Sequence, residues 1–176
     1  MQNQHAPLVL FLFGRPGSGK TTVGVALAKR LGASYFDCDS AYHPTDLEQI
    51  RRGLISDESS DAFLERALGH CSEYRRGDIL VASQSLFRDS HRIRVRQHLG
   101  DRVILVYLDV PVALSVDRVK HRAQPTFYGA DEYAREVDLF DGPALYDVAI
   151  PNSGTVPEAV DRILQALPTV LQTRPA

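Results

Sequence analysis

The chain reads Gly14-Arg15-Pro16-Gly17-Ser18-Gly19-Lys20-Thr21 near its N-terminus, which matches the phosphate-binding pattern G-x-x-x-x-G-K-[ST]. The residues before it, Leu8–Phe13, form a short apolar run that is typical of a buried parallel strand. The residues after it, Val23–Leu31, have the composition of a helix. Strand, glycine loop and helix therefore follow one another in the order that a nucleoside triphosphate site requires.

Each residue type in this loop has a chemical reason. Glycines let backbone N–H groups approach phosphate oxygens, because no Cβ stands in the way. The helix that begins near Gly19 adds its positive dipole end to the same anion. Lys20 is predicted to reach the β- and γ-phosphates, and the Thr21 hydroxyl to bind Mg²⁺. For Arg15 two interpretations remain open, a contact with phosphate or substrate and a side chain that faces solvent.

The composition limits the possible classes of protein. The chain has 176 residues, of which 44% are hydrophobic and 24% charged, with a net charge of −2. These values predict one globular domain over residues 1–176, without a broad basic surface for nucleic acid. Cys38 and Cys71 lack metal-ligand spacing, and we expect reduced thiols, with Cys38 buried. The N-terminal segment has no basic region and no membrane-length apolar run, so we expect a cytoplasmic protein. We also expect it to be a monomer or a homodimer.

Apolar runs alternate with helical segments along the chain. We predict strands at 8–13, 34–37, 79–82, 103–108 and 148–150, and helices at about 19–31, 45–53, 57–76, 88–99, 111–122 and 156–171. Thr45–Glu48 and Thr155–Glu158 have the pattern of capping boxes. The alternation predicts an α/β fold with an open parallel sheet covered by helices on both faces. Ligands of such sheets bind at the carboxyl ends of the strands.

Two carboxylates follow the second predicted strand, Asp37 and Asp39. In extended chain they point to the same side. One can hold Mg²⁺ through water, and one can accept a proton from an attacking hydroxyl or orient it. A helix cap or a solvated turn is the alternative interpretation.

Arg118 and Arg122 lie four residues apart and share a helix face. The segment after them, at about 123–131, is polar, contains Pro125 and Gly129, and is predicted to be a mobile loop. Arginines at the base of such a loop can stabilise a transferring phosphoryl group. Exposed arginines on a surface helix are the equally weighted alternative.

These motifs resemble the P-loop kinases of small metabolites, the group that includes shikimate kinase and gluconate kinase. The resemblance covers most of the chain and is carried by Gly14–Thr21, Phe36-Asp37-Cys38-Asp39, and the Arg118 helix with its following loop. Gluconate kinases are most similar in layout, through Asp37–Asp39, His43-Pro44, Arg52-Gly53, Asp57-Glu58 and Leu80–Leu86. The chain departs from them at Gln84 and Phe87, and it lacks the glycine triplet of shikimate kinases after the third strand.

The resemblance implies a three-layer αβα P-loop NTPase fold with a mobile lid. It also implies ATP- and Mg²⁺-dependent transfer of the γ-phosphoryl to a hydroxyl of a small metabolite, most of all gluconate or a related sugar acid. The implied catalytic residues are Lys20, Asp39, Arg118 and Arg122, and the implied metal ligands are Thr21 and Asp37. The implied nucleotide-binding residues are Gly14, Arg15, Pro16, Gly17, Ser18, Gly19, Lys20, Thr21, Thr22, Asn152 and Ser153. The implied substrate-binding residues are Asp37, Asp39, His43, Arg52, Gln84, Ser85, Arg88 and Arg92.

Two other functions remain open at this point. One is a nucleotide or antibiotic kinase of the same fold, which a base-stacking pocket would favour. The other is a P-loop ATPase or GTPase regulatory module, although the chain has no N-K-x-D guanine motif and no D-x-x-G switch motif after the third strand.

Overall fold

The computed structural model describes residues 8–52, 57–74, 78–121 and 140–172. The strands are β1 (Leu8–Phe13), β2 (Ser34–Asp37), β3 (Ile79–Gln84), β4 (Val103–Asp109) and β5 (Val148–Pro151). The helices are α1 (Lys20–Leu31), α2 (Pro44–Arg51), α3 (Asp57–Ser72), α4 (Asp89–Leu99), α5 (Val112–Lys120) and α6 (Val156–Gln172). Two 3₁₀ turns cover Cys38–Ala41 and Gly100–Arg102.

The strands form one parallel sheet in the order β2-β3-β1-β4-β5. This confirms the predicted α/β fold with a central parallel sheet. The third strand extends past its predicted end at residue 82, because Ser83 pairs with both Leu12 and Asp37 and Gln84 pairs with Phe13. The polar end of β3 therefore lies beside the start of the phosphate-binding loop.

The sheet is covered on both faces, which explains why β1 is apolar at every position. Val9, Phe11 and Phe13 pack into a core with α3 and α4, and Leu10 and Leu12 pack into a second core with α1 and α6. All five of these side chains are fully buried. Full burial of such a side chain is worth roughly 1.5–3 kcal/mol, so β1 anchors the loop that follows it.

The helix ends differ in part from the predictions. The Thr155–Glu158 box is confirmed, since the Thr155 N–H donates to the Glu158 carboxylate over 2.8 Å. The Thr45–Glu48 box is wrong. Helix α2 begins one residue earlier, at Pro44, which suits the first helical position. The Asp46 carboxylate accepts the backbone N–H of His43 over 2.9 Å, so this pair caps the helix instead.

Two predicted features cannot be compared with the structure. Arg122 and the predicted lid at 123–131 lie outside the described residues. Within the part of the chain that the structure covers, none of the helices combines the length and the apolar character that a bilayer crossing needs.

Candidate nucleotide-binding and phosphoryl-transfer site

The loop between β1 and α1 has a backbone shape that depends on glycine. Gly17 has a φ of 80° and Gly19 a φ of 90°, in the left-handed region that other residues rarely adopt. A Cβ on Gly17 would overlap the carbonyl oxygen of Ser115, and one on Gly19 would lie 2.8 Å from Asn152 Nδ2. Both glycines are therefore required by close approach as well as by φ.

The ammonium group of Lys20, the first residue of α1, points back to the loop. Lys20 Nζ donates to the carbonyl oxygens of Gly14 and Arg15, each over 3.0 Å. The first turn of α1 holds no acidic residue, and Gly19 provides no side-chain cap for its N–H groups. The Ser18 hydroxyl is buried without a hydrogen-bond partner among the described residues. A cradle of this kind, with a lysine and an uncapped helix N-terminus, can bind phosphate oxygens.

The structure brings together the two predicted metal ligands. Thr21 Oγ1 donates to Asp37 Oδ2 over 3.4 Å, although the residues are 16 positions apart. The other carboxylate oxygen of Asp37 accepts the backbone N–H of Asp39 over 3.1 Å, which places Asp39 in the 3₁₀ turn directly after β2. Hydroxyl and carboxylate oxygens are the ligands that Mg²⁺ prefers, and one or two of them suffice when phosphates supply the rest.

Asn152 ties the end of β5 to the loop. Its side-chain Nδ2 donates to the Ser18 carbonyl over 2.7 Å, and its backbone N–H donates to the Asp109 carbonyl over 2.8 Å. Its own carbonyl accepts Arg118 Nη1 over 3.0 Å. Asn152 is only 4% exposed, whereas its neighbour Ser153 is exposed. Asn152 thus braces the loop, and Arg118 is held at the same place.

A cleft of about 250 Å³ opens beside this bracing contact. It is lined by Gly17, Gly19, Thr22, Val23, Arg118, Asn152, Gly154 and Val156. The cleft continues from the loop toward the N-terminus of α6, which is where the rest of a nucleotide bound to the loop would lie.

On the other side of the loop, the turn between β3 and α4 has a strained backbone. Gln84 Oε1 accepts the backbone N–H of Ser85 over 2.6 Å. Leu86, which is buried, has a φ of 45°, in the left-handed region that costs a residue with a Cβ of order 1–3 kcal/mol. Such strain is common at ligand sites, and Gln84 and Ser85 stand where β3 ends, at the end of the sheet where ligands of this fold bind.

Arg92 was predicted to bind substrate, but its position in the structure does not allow this. Its side chain is fully buried. The guanidinium donates to Asp89 Oδ1 over 2.6 Å and to the carbonyls of Phe87 and Asp141 over 3.2 and 3.1 Å. These contacts correct the prediction, because a fully buried guanidinium with three protein acceptors offers no surface to a substrate.

The other predicted substrate residues are spread over a wider area. Arg52 is exposed and lies 3.8 Å from Glu48 at the end of α2. His43 is exposed at the start of α2, and Arg88 is exposed at the N-cap of α4, next to the β3–α4 turn. Of these three, Arg88 lies nearest in sequence to the strained turn.

An aromatic group next to the phosphate-binding loop was not predicted from the sequence. It consists of Phe13, Tyr107 and Phe140. The Arg15 guanidinium lies 4.8 Å from the centre of the Phe140 ring. Tyr107 stacks on Phe13 at 5.4 Å and donates to Asp109 Oδ1 over 3.0 Å. Burial and the Asp109 carboxylate raise the pKa of Tyr107 to about 12. The feature of the sequence that could have indicated this group is Asp109, because it ends β4 at the edge of the sheet where the loop lies.

Cys38 is buried, as predicted, between the two aspartates. Burial and the neighbouring Cys71 raise the pKa of its thiol well above the ordinary value. A neutral, buried thiol is a poor nucleophile, which agrees with a packing role.

Comparison with known proteins agrees with this geometry. The family model for shikimate kinase matches residues 16–167. A shikimate kinase of Gloeobacter violaceus is 31% identical over 171 residues, covering 90% of this chain and 91% of that protein. A probable gluconokinase of Dictyostelium discoideum is 23% identical and covers 94% of this chain and 90% of its own length.

Among solved structures, a gluconokinase from Sinorhizobium meliloti 1021 has a similar fold, with a TM-score of 0.79 and 21% identity. The match covers 97% of this chain and 99% of the other. These relatives are named as kinases. The chain therefore belongs to the shikimate kinase family of P-loop kinases.

Proposed function

We propose that this enzyme transfers the γ-phosphoryl group of ATP to a hydroxyl of a small sugar acid of the gluconate type. The observation that carries the proposal is the juxtaposition at one end of the sheet. The phosphate cradle with Lys20, the Thr21–Asp37 pair and Asp39 lie on consecutive elements there. Phosphoryl transfer needs these parts and little covalent chemistry from the protein, because positioning and charge stabilisation supply most of the catalysis.

The described residues of the site fit the MgATP that such a reaction requires. Thr21 would hold Mg²⁺ directly and Asp37 through water, and the ion would neutralise phosphate charge when bound. The uncapped start of α1 and the glycine backbone would bind the phosphate oxygens, with Lys20 turning from the loop carbonyls to the β- and γ-phosphates. Asn152, Ser153 and Thr22 would lie along the rest of the nucleotide.

On the acceptor side, Asp39 would orient the attacking hydroxyl or accept its proton. Gln84 and Ser85 offer amide and hydroxyl groups for other hydroxyls of the acceptor, and Arg88 offers a guanidinium for its carboxylate. Arg118, which donates to the Asn152 carbonyl, and Arg122 would stabilise the charge of the transferring phosphoryl group.

Two findings support a gluconate-type acceptor. The turn after β3 holds Gln84 and Ser85 and has no glycine triplet of the shikimate kinase type. A probable gluconokinase is also among the relatives that match over most of the chain. Shikimate is the second candidate, and the family model and the relative with 31% identity favour it. Both acceptors are hydroxy acids, so an arginine near the turn suits either.

The test is ADP formation from MgATP with gluconate, related sugar acids, shikimate, nucleosides and nucleotides as acceptors. We expect stimulation by a sugar acid, and loss of that stimulation in Asp39→Asn. Asp78→Asn is the matched control, because Asp78 is exposed at the opposite end of the sheet, before β3. Stimulation by shikimate would select the second candidate, and stimulation by a nucleoside or nucleotide would select a nucleotide kinase. ADP formation that no acceptor stimulates would refute the proposal.

A further inference from the structure

Arg92 is a fully buried cation that joins parts of the chain far apart in sequence. Its Nη1 bonds Asp89 in its own helix, and its Nη2 bonds the carbonyls of Phe87 and Asp141. The Phe87 carbonyl also accepts the backbone N–H of Asp141 over 2.8 Å. One guanidinium thus fastens the turn after β3 to the segment that precedes β5.

The same guanidinium lies among the rings below the phosphate-binding loop. Its central carbon is 5.1 Å from the centre of the Phe13 ring and 4.9 Å from that of Phe140. Phe13 directly precedes the loop, and Phe140 carries the Arg15 guanidinium of the loop at 4.8 Å. Contacts of a guanidinium with aromatic faces are worth roughly 0.5–2 kcal/mol, more when they are desolvated.

We infer that Arg92 is a positioning residue that fixes the acceptor turn (residues 84–87) relative to the phosphate-binding loop. This inference rests on the proposed function for its kinetic consequence only. The turn holds Leu86 at a φ of 45°, and a strained backbone persists only where its surroundings hold it. Arg92 stabilises the turn by donating to the Phe87 carbonyl, and it contacts the loop side of the site through the rings of Phe13 and Phe140.

The expected role follows from the chemistry of phosphoryl transfer. The acceptor oxygen has to lie in line with the transferring phosphorus, and a misplacement of about 1 Å can cost about 10²-fold in rate. A residue that fixes the distance between the two halves of the site acts on kcat. It acts less on the KM of either substrate, because each substrate still meets its own binding groups.

Helix α4 offers a matched control in Arg96. This residue also donates to a backbone carbonyl, that of Val103 over 3.0 Å, and to a carboxylate, that of Asp147 over 2.6 Å. Its contacts lie on β4 and on the residue before β5, away from the acceptor turn. Replacing either arginine by lysine keeps the charge and removes the planar fork. Arg96 is 28% exposed and Arg92 is fully buried, so the Tm of each variant measures how much general stability it loses.

The experiment compares Arg92→Lys with Arg96→Lys by thermal unfolding, amide hydrogen exchange and steady-state kinetics well below both Tm values. We expect a lower Tm in both variants. Faster exchange within residues 84–88 and 140–145, and a kcat lower by about tenfold or more with little change in either KM, are expected only in Arg92→Lys. Equal kcat values in the two variants, or no localised change in exchange, would overturn the inference.

The exchange measurement separates this inference from the proposed function. If no acceptor supports turnover, the proposed function fails, and the exchange comparison still judges Arg92. Faster exchange confined to the acceptor turn and to the segment at 140–145 would then support the positioning role, and unchanged exchange there would end it.

Discussion

Replacing Asn152 by alanine tests whether one side chain shapes the nucleotide site. The amide donates to the Ser18 carbonyl over 2.7 Å in a residue pair that is almost completely buried. The other two bonds of Asn152, with Asp109 and Arg118, use its backbone and remain in the variant. The change therefore leaves one buried carbonyl without a donor, which costs about 1–3 kcal/mol of unfolding free energy.

The same cost is expected in ATP binding if the nucleotide has to restore the loop shape that the amide maintains. A loss of 1–3 kcal/mol corresponds to a rise in the KM for ATP of about 5- to 150-fold. The assays are urea unfolding and initial rates at varied ATP. Gln165→Ala is the control, because Gln165 also carries an amide but is exposed on α6 and does not line the cleft, and we expect it to change stability by less than about 0.5 kcal/mol. Equal midpoints and equal KM values in the two variants would refute the reasoning.

Gly17→Ala should raise the KM for ATP, because both the positive φ and the nearby Ser115 carbonyl exclude a Cβ. Gly32 also has a positive φ but no atom close to where a Cβ would lie, so Gly32→Ala should lower Tm without affecting ATP. Equal effects on ATP would argue against the cradle. Thr21→Val should raise the Mg²⁺ concentration that gives the half-maximal rate. An equal rise in Thr169→Val, which changes an exposed threonine of α6, would argue against Thr21 as a metal ligand. Burial acts to raise the pKa of Asp89, but the hydrogen bond and charge of Arg92 outweigh it and lower the pKa below 3.8. The ionised Asp89 carboxylate therefore stabilises the folded protein above pH 3.8, and this stabilisation is lost as the pH falls through the lowered pKa of the folded state. Urea midpoints should consequently fall less steeply with acid in Asp89→Asn than in the unmodified protein.

The sequence was sufficient to predict the sheet, because apolar runs and the glycine loop are local signals. The run Leu8–Phe13 is buried on both sides, as its composition predicts, and β1 has those bounds in the structure. The Thr21–Asp37 contact was also predictable in kind, since the start of α1 and the end of β2 lie at the same end of a parallel sheet.

The arginines of α4 show what could not be predicted. Arg92, Arg94 and Arg96 alternate in one short polar helix and look alike in the sequence. In the structure Arg92 is buried, Arg94 pairs at the surface with Asp61 and Glu65, and Arg96 bonds β4. Their partners come from α3, from the strands and from residues near 140, so only tertiary packing separates them. Arg118 is a similar case, because its partner is a backbone carbonyl, which carries no sequence signal.

The two glycine contacts of the loop have a consequence for the order in which the protein acquires function. Residues 14–21 are made early in synthesis, but the atoms that bracket Gly17 and Gly19 belong to Ser115 and Asn152, which are made much later. In the folded protein the loop is packed against α5 and the end of β5, and the Asn152 amide donates to the Ser18 carbonyl. A nascent chain that has not yet reached residue 152 carries the complete phosphate-binding motif but lacks this donor, so we expect nucleotide binding to stabilise the protein mainly after synthesis has passed that residue.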